Sequence, residues 1–283
     1  MTLQRIATAD LTLSVEVGEP ATGAGEVGDA ETVLLLHGFP DSHKLWRYQV
    51  PVLREAGYRT VAPDLRGFGD SDRPADVDGY RLPHSVADAV AVLDALGVER
   101  AHVVCHDFGA VVGWLLAALQ PERVDRLAVL SVGHPMTSRR PTIEQREKQW
   151  YTLLFQFEDV AEQLLTRDDW ALLREWTAGT GDVENWLADL SRPGALTAGL
   201  NWYRANMHPA RQLRDGPQVP SVAAPTLGLW SDGDRYLTED GMQRSAEFVQ
   251  GSWRYERVEH ASHWMQLDQP EMLNRLLLQH LRG

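Results

Sequence analysis

The sequence predicts an α/β fold: a mostly parallel central sheet flanked by helices, with an inserted α-helical cap. Three observations predict it. Short apolar runs of the buried-strand type recur along the chain, helical stretches separate several of them, and one long helical segment interrupts the alternation. Alternating strand and helix implies parallel strands, because crossovers between parallel neighbours lay helices on both faces of the sheet.

Residues 11–17, LTLSVEV, alternate apolar and polar and read as a half-buried strand. The Gly/Ala/Glu stretch from Gly18 to Ala30 is expected to be a surface loop. Buried strands are expected at TVLLLHG (32–38), YRTVAPD (58–64), AHVVCHD (101–107), RLAVLSV (126–132) and PTLGLWSD (225–232). SVADAVAVLDALGV (85–98) and GAVVGWLLAAL (109–119) read as helices between them. From Met136 to Pro220 no buried strand is legible, and Trp150, Trp170, Trp176, Trp186 and Trp202 crowd a helical sequence. This divides the chain into a core domain, 1–135 and 221–283, and a helical cap, 136–220, whose aromatics suit a lid over an apolar pocket.

The length of 283 residues suits one large domain carrying an insertion. Lys plus Arg number 27 against 40 for Asp plus Glu, so 27 − 40 gives a net charge of −13. That acidity argues against nucleic acid or an anionic membrane as partner. Cys105 is the single cysteine, so no intrachain disulfide forms. The N-terminus lacks a basic start followed by an apolar stretch, and no run approaches eighteen apolar residues. The expectation is a cytoplasmic protein that spans no membrane.

The chemistry concentrates where strands end. VVCHDFGAVVGW (103–114) runs from an apolar strand through Cys105-His106-Asp107-Phe108-Gly109 into a helix, the context of a nucleophile elbow. So sharp a turn needs small residues two before and two after the nucleophile, and Cys105 and Gly109 satisfy this. The central residue is Asp107; as a bare motif it could equally be a helix cap. LGLWSDGDRYL (227–237) ends a strand with Asp232 and Asp234, and VEHASHWMQLDQP (258–270) puts His263 in a loop before the last helix. Nucleophile, acid, histidine is the chain order of such a triad. After the strand at 32–36, His37-Gly38-Phe39-Pro40 can present the Phe39 N–H, which with the Phe108 N–H makes a two-donor oxyanion hole.

These motifs, with Asp64-Leu65-Arg66-Gly67-Phe68-Gly69-Asp70-Ser71, Leu200-Asn201-Trp202-Tyr203-Arg204 and His263-Trp264, resemble the epoxide hydrolases of the α/β-hydrolase superfamily. The resemblance covers nearly the whole chain from Val33 onward. It implies that Tyr203 reaches into the pocket to hold an epoxide oxygen. A looser match, WYTLLFQ (150–156), gives Tyr151 as a second such tyrosine. It favours Asp234 over Asp232 as the acid, by the spacing to Tyr236-Leu237. Phe39, Trp150, Trp202 and Trp264 are expected to bind substrate. The elbow departs from the family pattern in having Cys105 for Gly, Phe108 for Trp and Ala110 for Gly.

A carboxylate attacking an sp³ carbon gives an ester that water can cleave, whereas a serine would give an inert ether. The resemblance therefore implies an epoxide hydrolase: Asp107 opens the ring, Tyr151 and Tyr203 protonate or hold the leaving oxygen, and His263, oriented by Asp234, activates water to release a vicinal diol. No metal or organic cofactor is called for. The implied substrate is a small apolar or aromatic epoxide, and a homodimer is compatible with the sequence. Two alternatives stay open. One is a haloalkane or haloacid dehalogenase with the same Asp-His-Asp chemistry, against which Phe108 supplies no halide-binding N–H. The other is a non-catalytic ligand receptor on the same fold.

Overall fold

A computed structural model describes residues 1–21, 30–139, 141–177, 181–210 and 218–283. Part of the loop expected over Gly18–Ala30 and parts of the 136–220 segment lie outside the described residues. Eight strands form one sheet: β1 (Thr2–Ala7), β2 (Thr12–Gly18), β3 (Thr32–Leu36), β4 (Arg59–Pro63), β5 (Ala101–His106), β6 (Val124–Leu130), β7 (Thr226–Ser231) and β8 (Trp253–Val258). Their spatial order is β1-β2-β4-β3-β5-β6-β7-β8. β1 and β2 pair antiparallel, β2 runs antiparallel to β4, and β3 to β8 are parallel. β3, β5 and β7 are buried at every residue, as continuous apolar runs covered on both faces must be.

The sequence pattern does not mark β1. Only Ile6 in it is buried, so an edge strand with one inward residue carries no alternation to read. The helix expected from Ser85 begins earlier: α2 is Leu82–Ala95, following α1 (Gln49–Glu55). Pro83 looks like a breaker but sits in the first turn, where its missing N–H costs nothing. α3 (Phe108–Leu119) lies close against the sheet. A Cβ on Gly109 would fall 2.2 Å from the Leu36 carbonyl oxygen, and one on Gly113 2.5 Å from Cys105 Sγ.

Between β6 and β7 the described chain is helical: α4 (Ile143–Lys148), α5 (Trp150–Leu154), α6 (Val160–Thr177, broken at Arg167–Trp170), α7 (Val183–Leu190) and α8 (Ala195–Asn206). After β7 come α9 (Glu239–Gln243), α10 (Met265–Asp268) and α11 (Pro270–Leu281). No helix among the described residues is long and apolar enough to cross a membrane. The chain leaves β3 for β4 on one side and leaves β5 for β6 on the other. Adjacent strands whose connections diverge open a crevice at their carboxyl ends, the place where such sheets bind ligands. Phe39 and Asp107 follow β3 and β5 into that crevice.

Candidate active site

Asp107 turns the chain from β5 into α3 with φ 52° and ψ −123°, a conformation that non-glycine residues rarely adopt. The strain lifts its carboxylate toward the end of β3. Its Oδ1 accepts a 2.9 Å bond from the Phe39 N–H, and the Phe108 N–H also points at the carboxylate. The approach demands glycine at position 38, where a Cβ would lie 2.3 Å from Asp107 Oδ1. Burial alone would raise the Asp107 pKa. The hydrogen bond and charge of His263, the His106 ring and the Phe108 N–H outweigh it, so the carboxyl titrates below its usual range.

Asp107 Oδ2 lies 3.7 Å from His263 Nε2, and His263 Nδ1 lies 2.9 Å from Asp234 Oδ2. The Tyr236 and Leu237 N–H groups donate to Asp234 Oδ1 at 2.8 and 2.9 Å, fixing that carboxylate completely. Desolvation alone would lower the pKa of His263, but the Asp234 and Asp107 carboxylates on either side raise it to about 10. The resting site therefore holds an imidazolium between two carboxylates at neutral pH. The His263 carbonyl accepts from His106 Nε2 (3.0 Å) and Ser131 Oγ (3.2 Å), which ties its loop to the ends of β5 and β6. The structure brings Asp234 to His263 and not Asp232.

The loop after β3 is locked from behind. His37 Nδ1 pairs with the Gly38 carbonyl at 2.9 Å, so the proton is on Nδ1 and Nε2 accepts from Leu65 N at 2.9 Å. Burial depresses the His37 pKa to about 4, keeping the ring neutral for that role. The Asp64–Ser71 motif is a platform for the cap. Arg66, buried and paired with Asp88 at 2.8 Å, offers its carbonyl to Trp202 Nε1 at 3.0 Å. Gly67, at φ 87°, leaves room for Ala198 and Tyr80, which would lie 3.0 and 2.8 Å from a Cβ there.

α8 thus rests on the core and turns Tyr203 inward, its ring 4.8 Å from Phe108 and 5.5 Å from Phe39. Arg204 explains the rest of its motif. It pairs with Glu162 at 2.8 and 2.9 Å, bonds Asn201 Oδ1, and donates to the Phe155 carbonyl at 2.9 Å. That anchor joins α8 to the stretch after Tyr151 and so fixes the two tyrosine rings 5.9 Å apart. Both are buried. Desolvation first, and the Asp107 charge second, hold both hydroxyls protonated well above their ordinary range. Neither hydroxyl has a hydrogen-bond partner among the described residues.

Three of the four expected substrate-binding aromatics stand elsewhere. Trp150 is exposed on the outer side of α5, because neighbouring helical residues point about 100° apart and Tyr151 takes the inner face. Trp202 is fully buried behind Phe108 with its N–H spent on Arg66. Trp264 is buried with its N–H donated to Asp41. Phe39 does line the space, edge-on to Tyr203 and near Trp176 and Phe155.

The sequence reading missed Trp176, Phe155 and Asp41. The first two complete the aromatic wall around Tyr151, with centroids 4.7 and 5.5 Å from it. Asp41 Oδ1 accepts from Trp186 Nε1 of the cap at 2.7 Å, and Oδ2 from Trp264 Nε1 at 2.9 Å. Burial raises its pKa to about 7 against these two bonds. An acid directly after Pro40 was the available signal, but nothing local identifies two indoles as its partners. No group of three His, Cys, Asp or Glu among the described residues is placed to hold a metal ion.

A family model described as the alpha/beta hydrolase fold matches residues 31–270. The chain is 32% identical to Epoxide hydrolase 2 of Caenorhabditis elegans, covering 87% of this chain and 72% of that protein. It is 32% identical to Epoxide hydrolase A of Mycobacterium tuberculosis, covering 95% and 93% respectively. Among solved structures it is similar to a mutant of an epoxide hydrolase from Bacillus megaterium complexed with its product, a naphthyloxy-propane-1,2-diol. The TM-score is 0.87 at 26% identity, covering 99% of this chain and 100% of that one.

Proposed function

The chain belongs to the α/β-hydrolase family, among its epoxide hydrolases, and from that premise we propose that it opens an apolar epoxide to a vicinal diol through an ester on Asp107. The observation that carries this reading is a carboxylate at the elbow whose one oxygen is held by a backbone N–H while the other faces His263 Nε2 at 3.7 Å. Asp107 Oδ2 attacks a ring carbon, and the C–O bond breaks toward Tyr151 and Tyr203. A bare alkoxide is a poor leaving group; two hydroxyls kept protonated beside it supply hydrogen bonds and a proton.

Esterification removes the Asp107 charge, one of the causes that hold the proton on His263. Its pKa then falls, the proton it gives up makes good the one that the tyrosines supplied to the leaving oxygen, and the neutral ring can serve as base. Water between His263 Nε2 and the ester carbonyl loses its proton to the ring and attacks. Charge builds on Oδ1, which already faces the Phe39 N–H at 2.9 Å, each such donor contributing about 3 kcal/mol. Collapse expels the diol, whose oxygen takes the proton from His263, and the new carboxyl then passes its proton to the ring, restoring the Asp107 carboxylate. The aromatic wall of Phe39, Phe155 and Trp176 suits an aryl or alkyl substituent.

One observation favours a second reading, dehalogenation: Trp176 Nε1 is buried without a hydrogen-bond partner among the described residues, near Tyr151. A single indole N–H could stabilise a halide. The position after the nucleophile, where a second indole would serve, is Phe108. Incubation with styrene oxide and with a bromoalkane separates the two. Diol from the epoxide is expected; halide release without ring opening would overturn the proposal.

A further inference from the structure

α4 belongs to the cap, yet two of its side chains reach the loop that carries the triad acid. Gln145 Nε2 donates to the Tyr236 carbonyl at 2.9 Å. Gln145 Oε1 accepts from the Thr238 N–H and from Thr238 Oγ1, each at 3.0 Å. Lys148 donates from Nζ to the Asp234 carbonyl at 2.6 Å. Both side chains are half-buried, whereas Ile143, Glu144, Arg146 and Glu147 of the same helix are exposed. α6 adds a further hold, because the Tyr236 hydroxyl donates to the Trp176 carbonyl at 3.0 Å. Thr238 precedes α9, but its hydroxyl makes no cap bond to that helix and is given to Gln145.

We propose that Gln145, backed by Lys148, is a positioning residue that holds the Asp234 carboxylate in line with His263, so that the seating of the first cap helix governs the water-activating step. The ground is where the bonds converge. Asp234 Oδ1 is fixed by the Tyr236 and Leu237 N–H groups, and Oδ2 by His263. Those two N–H groups meet one oxygen only while residues 234–238 keep their turn. α4 holds the main chain of that turn at three places: the Asp234 carbonyl, the Tyr236 carbonyl and the Thr238 N–H. An amide suits position 145, since one side chain must both donate to a carbonyl and accept from an N–H. An ammonium cannot accept and a carboxylate cannot donate. Apolar packing would suffice to rest a helix on the core; here polar side chains satisfy the main chain that bears the acid.

On the ester mechanism proposed above, on which this role rests, His263 acts only after Asp107 is alkylated. A loosened Asp234 should therefore slow ester hydrolysis and leave alkylation as it was. Facing His263 are Asp107 and His106 at the end of β5, Asp234 and Tyr236 after β7, and the Asp41 charge after β3. Gln145 is uncharged, so its loss alters the geometry of Asp234 and removes none of these groups.

Single-turnover rapid-quench mass spectrometry of Gln145→Leu with styrene oxide separates the two steps. Alkylation should stay within about twofold of wild type, while ester hydrolysis slows by roughly tenfold or more, as misplaced reacting groups do. The pH midpoint of hydrolysis should also move down by roughly half a unit or more, because an opposite charge held less closely favours the imidazolium less. Thr238→Val keeps the N–H bond and loses only the hydroxyl bond. It should show the same changes in smaller measure, and it reports even if Gln145→Leu folds poorly. A low-field proton NMR titration of the His263 Nδ1–H, without epoxide, reads the same geometry: the wild-type ring should titrate near 10 and the Gln145→Leu ring lower. Equal hydrolysis rates and midpoints in wild type and variants overturn the role, as do alkylation and hydrolysis slowed alike at an unmoved midpoint. A wild type that forms no Asp107 ester would sink the ester mechanism instead, and the NMR titration would still decide whether Gln145 holds Asp234 in line.

Discussion

Asp107 and Tyr203 face the same space but are held there by different means. Asp107 stands on main chain: a strained φ of 52°, a donor from Phe39, and two glycines, 38 and 109, whose replacement would put a Cβ within 2.3 Å of other atoms. Tyr203 stands on side chains: the Arg204–Glu162 pair, the Trp202 bond to Arg66, and edge-to-face rings of Phe39, Phe108 and Phe155. The core half of the site tolerates few residue types, since main-chain geometry leaves no slack. The cap half is a set of separable contacts, each removable without collapsing the others. Nucleophile and water activation should thus fail together with the elbow, while leaving-group assistance should be open to adjustment one hydroxyl at a time.

The largest effect expected in the cap comes from its two hydroxyls. Tyr151→Phe and Tyr203→Phe together should slow alkylation by ~10²–10⁴-fold, the usual scale of general-acid assistance, and each alone by less. Melting temperatures should stay near wild type, because the rings remain and neither hydroxyl has a partner among the described residues. Undiminished epoxide turnover by the double variant would move the leaving-group role elsewhere.

A second prediction separates the halves by pH. Alkylation should be flat between roughly pH 6 and 9, since Asp107 titrates below the usual carboxylate range and both tyrosines well above theirs. Ester hydrolysis should rise with pH as His263 deprotonates, at a pKa below the resting value of about 10 because the Asp107 charge is gone. Rapid-quench mass spectrometry should accordingly find more ester at low pH than at high. Accumulation in the opposite direction would contradict the base role of His263.

How much of this was legible in the sequence differs between the two halves for the same physical reason. A parallel strand must be an apolar run, and a sharp elbow must have small neighbours, so β5, Asp107 and Gly109 were readable from local composition. His263 followed from chain order, and Asp234 rather than Asp232 from the resemblance. β1 was not readable, having only Ile6 to bury. In the cap, a tryptophan's role depends on which way its helix faces and what meets its N–H. Trp150, Trp202 and Trp264 were expected at the substrate; one lies outside and two spend their N–H groups on Arg66 and Asp41. Tyr203 was found only through the resemblance, because Glu162, which anchors the adjacent Arg204, lies forty-two positions from that arginine.

The smallest effect concerns the seam. Asp41, bonded to Trp186 of the cap and Trp264 of the catalytic loop, titrates near 7, raised from 3.8 by burial. A carboxyl whose folded pKa is raised favours folding below about pH 4, and that contribution is lost as pH rises through 7. Trp186→Phe removes one of the two bonds that ease the charged form. It should cost about 1–3 kcal/mol, with the larger loss of melting temperature at pH 8.5 than at pH 6 (both roughly placed either side of that midpoint). An equal loss at both would mean that packing alone holds the seam.

The central claim is the ester on Asp107, and one turnover tests it. Excess enzyme is mixed with epoxide in ¹⁸O-water, digested, and the peptide containing Asp107 weighed. Because water attacks the ester carbonyl, the heavy oxygen should be found in the Asp107 carboxylate, while the diol carries an oxygen that the carboxylate gave up. Label in the diol alone, with none in the Asp107 peptide, would mean that water opens the ring directly and that Asp107 is not the nucleophile.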